Sequence, residues 1–167
     1  MDKVVTSMLL MIAAIVASVV VINSILPSIQ RTSSDIVAAS DVVGNRLRSD
    51  VKIIETSGQD GNDTVEVWAK NVGAADIPSL EKIDVFFGQT TNFERIAYDQ
   101  TSACPNPVPP PRTAPCWQYT LENASKWSPY ATLRISIYLD YDLAAGTEYV
   151  ATIVLPNGIT ASKIFSI

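Results

Sequence analysis

Between Val4 and Leu26 the chain reads VVTSMLLMIAAIVASVVVINSIL, 23 consecutive residues without a formal charge. At the standard helical rise this run is roughly 34 Å long, enough to cross the hydrocarbon core of a bilayer. A cleaved secretory signal has a shorter apolar core and a small-residue cleavage site ahead of a polar mature start, and this run is too long for that pattern. Only Asp2 and Lys3 among charged residues precede it, so the positive-inside rule favours a cytoplasmic N-terminus and an exported remainder.

The apolar pattern continues beyond a membrane's thickness. After Pro27 come Ile29, Ile36, Val43 and Leu47, spaced as a helical stripe among Ser, Asp, Asn and Arg. Pro27 lacks an amide donor and crowds the preceding turn, so a helix bend is expected there. Helix is expected to about Arg48, roughly 70 Å in all, and residues 1–50 and 51–167 read as a helical domain and a head. A membrane covers only the first half of such a helix, whereas a bundle of identical helices covers both. The expected assembly positions are Val4, Leu9, Leu10, Ile12, Ala13, Ile15, Val16, Val19 and Val20, continuing through Ile22, Ile25, Leu26, Ile29, Ile36, Val43 and Leu47. Small residues such as Ala13, Ala17 and Ala38 allow close helix approach. The competing reading is a plain signal anchor followed by a stalk.

From Val51 the period changes to two, and turn signals recur at the spacing of a β-sandwich. Strands are expected at 51–56, 64–70, 82–88, 94–98, 117–121, 132–141, 148–155 and 159–167. In the sixth, Leu133, Ile135, Ile137 and Leu139 alternate with Arg134, Ser136, Tyr138 and Asp140, which predicts one buried face and one outer face. Pro156-Asn157-Gly158 marks a hairpin, with positive φ expected at Asn157 and Gly158. The fold class is therefore α+β: a long hydrophobic N-terminal helix followed by an all-β, immunoglobulin-like sandwich.

Cys104 and Cys116, the only cysteines, bracket PNPVPPPRTAP and read as one disulfide outside the cytosol. The prolines exclude helix and strand and predict a stiff extended loop, either a rigid surface element or a ligand for a polyproline-binding partner. Asn62-Asp63-Thr64 and Asn123-Ala124-Ser125 are N-glycosylation triplets, in expected loops. Asp60-Gly61-Asn62-Asp63 and Asp140-Tyr141-Asp142 match no full calcium loop and read as a turn and a strand end.

No histidine is present, which removes the commonest general base and metal ligand. No nucleophile elbow, phosphate-binding loop, zinc-helix motif or dinucleotide fingerprint occurs. The expectation is no enzyme, no catalytic residue, no metal and no cofactor. A net charge of −5 supplies no basic surplus for a phosphate backbone, so nucleic acid is not an expected partner.

The helix, its amphipathic continuation, and the segment Val65-Glu66-Val67-Trp68-Ala69-Lys70-Asn71-Val72-Gly73, followed by Ile77, Pro78 and Ile83-Asp84-Val85-Phe86-Phe87, resemble the archaellins and, at the helix only, the type IV pilins. The resemblance implies a subunit of an extracellular, archaellum-type filament that serves swimming. Such a subunit is membrane-inserted before assembly, polymerises with copies of itself through its helix, and works with export and motor machinery. Two alternatives stay open: a membrane-anchored accessory or stator subunit with a similar head, and an adhesive type IV pilus subunit. Archaellin precursors usually carry a short basic leader before the apolar helix, whereas Met1-Asp2-Lys3 alone precedes Val4; the leader is then either vestigial or uncut, or already trimmed.

Overall fold

The computed structural model describes residues 2–106, 110–111 and 114–167. The side chains of Ile25, Leu26 and Ile29, and residues 107–109 and 112–113 of the proline-rich loop, lie outside the described residues. The chain divides into two units, Met1–Val43 and Gly44–Ile167.

One helix, α1, runs over Asp2–Arg48 and continues through Pro27. The bend expected at Pro27 is thus a question of distortion inside one helix, not of a break between two. Arg46 and Arg48 occupy the last turn, where positive charge complements the carbonyl end of the helix.

All eight expected strands form: β1 (Val51–Gly58), β2 (Thr64–Asn71), β3 (Asp84–Gln89), β4 (Asn92–Tyr98), β5 (Cys116–Glu122), β6 (Thr132–Tyr138), β7 (Glu148–Val154) and β8 (Thr160–Ser166). Their order is β1-β2-β6-β5-β4-β3-β7-β8. Every pairing is antiparallel except a short parallel contact in which Ala97 and Tyr98 of β4 meet Cys116 and Trp117 of β5. The chain of pairings folds into two layers, β1-β2-β6-β5 and β4-β3-β7-β8, and these are the strand orders of an immunoglobulin-like sandwich with one added strand. Between them lies a core of Val65, Val67, Ile135 and Trp117 from one layer and Val85, Phe87, Ile96 and Ile153 from the other. Phe87 stacks on Tyr149 with ring centroids 5.6 Å apart. Leu133, Ile135, Ile137 and Leu139 are all buried, as the alternation predicts.

Three details differ from expectation. The segment Leu80–Lys82 is a 3-10 turn, so β3 starts at Asp84 and not at Lys82. The sixth strand stops at Tyr138, because the next amide, of Leu139, donates to the Asp63 carbonyl in the β1–β2 loop. At the last hairpin only Gly158 has a positive φ, of 82°. Pro156 fixes a negative φ at the first turn position, and the Gly158 amide closes the turn on the Leu155 carbonyl, so the left-handed residue falls one place later.

The outermost strands, β1 and β8, both carry protection against pairing with another sheet. Ile54 is an extra residue between the pairs Ile53–Ala69 and Glu55–Trp68, a bulge that disrupts the ladder. Lys163 sits on the half-buried side of β8, with Ala161 and Phe165, and its ammonium donates to the Ile54 carbonyl at 3.1 Å. An inward lysine and a bulge are both known means of blunting a sheet edge. Lys163→Val is therefore expected to add higher-order species in sedimentation, relative to the parent chain in the same detergent. An unchanged distribution would show that Lys163 does not guard the edge.

Candidate assembly site and the joint that carries it

The described apolar side chains of the helix are exposed. Lys3–Asn23 is long and apolar enough to cross a membrane, with none of it buried. The expected assembly positions Val4, Leu9, Leu10, Ile12, Ile15, Val16, Val19, Val20 and Ile22 are all at least 51% exposed, and Ala13 is exposed as well. Beyond the span, Ile36, Val37, Val43 and Leu47 are exposed too, Leu47 to 81%. Uncovered apolar surface on this scale marks a membrane or protein contact.

The head grips the end of this helix through backbone atoms. The Ala74 amide donates to the Arg48 carbonyl at 2.7 Å, and the amides of Val72 and Gly73 both donate to the Asp50 carbonyl. These bonds occupy a free carbonyl of the helix end and of the turn that follows it. The approach is so close that a Cβ on Gly73 would lie 2.5 Å from both the Arg48 carbonyl oxygen and the Asp50 nitrogen. Only glycine fits.

Asn71 holds the loop that makes this grip. It is the only fully buried polar residue among those described, and its side chain is fully employed. Its Nδ2 donates to the carbonyls of Ala75 and Trp127, each at 2.9 Å, and its Oδ1 accepts the Gly73 amide at 3.0 Å. Its backbone bonds Tyr130 and Ala131. Trp127 is itself buried, donates from Nε1 to the Ala131 carbonyl, and pairs with Ile77. The Asn-x-Gly of the sequence motif is thus the clamp between β2, the β5–β6 loop and the helix end.

Cys104 and Cys116 form the expected disulfide, with Cα atoms 5.8 Å apart. Its second half-cystine opens β5 at the parallel contact with β4, so the bond closes the loop that passes between the two layers. Gln100 and Gln118 side chains bond the backbone of Tyr119 and Thr101 across the same loop. Hydrogen bonds from the Thr101 side chain and amide hold the Asp99 carboxyl below its ordinary pKa. Asn62 and Asn123 lie in different loops, both exposed. Among the described residues no group of acidic or cysteine side chains could hold a metal ion. Just past the end of β6, burial pushes the Tyr141 phenol up from 10.0 to about 12, with Tyr149, Glu94 and Asp140 adding to the shift.

The family described as archaeal-type flagellin matches residues 3–165. A protein of Archaeoglobus fulgidus, described as uncharacterized, is 26% identical over 172 residues, covering 98% of each chain. The archaellum periplasmic stator protein FlaG from Sulfolobus acidocaldarius is 27% identical, with a TM-score of 0.56, covering 70% of this chain and 99% of that one. The archaeal flagellum of Methanospirillum hungatei strain JF1 superposes over 98% of this chain and 92% of its own with a TM-score of 0.69, but at 11% identity this is a likeness of fold alone.

Replacing Asn71 by Leu strands two carbonyls and an amide in the interior and should lower head stability by roughly 3 kcal/mol in thermal or denaturant unfolding. Gly73→Ala should lower it as well, and a parent-like Tm for either variant would refute the clamp. For Tyr141 the folded-state pKa is raised, so its contribution is constant below about pH 10 and is lost as pH rises toward about 12. Thermal unfolding across that range should show a decline that Tyr141→Phe flattens; identical slopes in the two proteins would exclude Tyr141 as its source.

Proposed function

We propose that this chain, which belongs to the archaeal-type flagellin family, is a structural component of the archaellum and, within it, a membrane-anchored accessory subunit of the stator kind. In this reading α1 spans the membrane over Lys3–Asn23 and the sandwich stands outside it. The observation that carries the finer assignment is the 27% identity that runs through 99% of the stator protein FlaG. Likeness to the assembled filament at 11% identity speaks to fold and leaves the role open. Membership of this family likewise points to a structural part and not to an enzyme.

A second reading, a subunit of the filament itself, is favoured by one specific observation. Exposed Ile36, Val37, Val43 and Leu47 lie beyond the span, where lipid does not reach. Copies of the same helix would cover them in a filament; helices of a neighbouring envelope protein would cover them in a stator. Burial at about 25 cal/mol per Å² makes either arrangement favourable, since many such side chains add up along one helix.

Shearing cells separates the two. A stator subunit remains in the envelope fraction and is absent from the sheared filaments, and Val43→Asp then leaves the filaments in place. Sheared filaments composed mainly of this chain would overturn the stator assignment in favour of the polymer.

A further inference from the structure

The two glycosylation triplets of the head occupy different surroundings, and the difference selects one of them. At Asn62 the triplet is locked into the fold. The Asn62 side-chain amide donates to Gln59 Oε1 at 3.2 Å, its backbone carbonyl accepts the Leu143 amide, and the Asp63 carbonyl accepts the Leu139 amide. Thr64 is already the first residue of β2, paired with Tyr138, and its hydroxyl donates to Asp63 at 2.9 Å. An oligosaccharide-transferring enzyme needs both the asparagine amide and the hydroxyl two residues later, and at this triplet both are engaged.

At Asn123 none of this holds. Asn123, Ala124 and Ser125 are all exposed, in the loop that leaves β5. Asn123 has a φ of 53°, a left-handed conformation that asparagine tolerates. Its neighbours Leu121, Ser125 and Lys126 line an open groove of about 410 Å³ with Ile77 and Pro78. There is room for a sugar at the groove's rim.

We propose that Asn123, and not Asn62, carries an N-linked glycan. The donor is an oligosaccharide linked to a lipid phosphate. The Asn123 Nδ2 attacks the anomeric carbon, the new C–N bond replaces the C–O bond to phosphate, the phosphate leaves with that electron pair, and the amide gives one proton to a base of the transferase. A glycan there keeps this face of the head in water and closes the groove to protein partners. The inference rests on the exported head of the preceding section.

Trypsin places the two triplets on separate peptides, residues 53–70 and 113–126, because Lys52, Lys70, Arg112 and Lys126 bound them. Mass spectrometry of the full chain from its own cells should show peptide 113–126 shifted by sugar residues and peptide 53–70 unshifted. The shift should vanish in Asn123→Gln and Ser125→Ala and persist in Ser125→Thr, where the hydroxyl remains. An unshifted 113–126, or sugar on 53–70 alone, overturns the proposal. Cys116 lies on the same peptide, so its state tells the two failures apart. An oxidised Cys116 without sugar leaves export standing and removes the glycan, whereas a free thiol without sugar removes both.

Discussion

A buried amide side chain with every donor and acceptor occupied cannot be moved without stranding several partners at once. Asn71 is in that position, between the Ala75 and Trp127 carbonyls and the Gly73 amide. Through it the end of β2, the Trp127 loop and the first turn after the helix share one hydrogen-bonded network. In a low-dielectric interior such a network is either complete or costly. The clamp therefore fixes the turn at Arg48–Asp50 against β2 and the Trp127 loop.

The rest of the head answers to a different pressure, the need to remain a discrete body beside an exposed apolar helix. The described apolar side chains of the helix are exposed, while the sandwich buries most of its inward apolar side chains and guards both outer strands. The bulge at Ile54 and the inward Lys163 meet across the seam between β1 and β8, so one contact blunts two edges.

Much of this was legible beforehand, for physical reasons that differ by element. The uncharged run to Leu26 and the alternation through Leu133, Ile135 and Ile137 report local burial directly, so helix and strands could be placed from sequence. The hairpin at Thr90-Thr91 was missed because threonines carry no turn signal; the two residues simply join Gln89 to its partner Asn92. The bulge at Ile54 was invisible for a similar reason, since an extra apolar residue in a strand looks like more strand. Asn71 and Gly73 were noticed as a motif, but their task was not, because the Trp127 carbonyl that explains Asn71 lies 56 residues away. The preference for Asn123 over Asn62 likewise depends on bonds to Leu139 and Leu143, which no triplet announces.

The grip on Arg48 and Asp50 also decides how a pull on the helix would be resisted. β1 follows this turn at once, and its hydrogen bonds to β2 run across the strand from Val51 to Gly58 with one interruption at the Ile54 bulge. A pull along the strand strains the bonds on each side of the bulge as a group and not one after another. A strand held in this way meets a force along its own axis with groups of bonds and not with single ones.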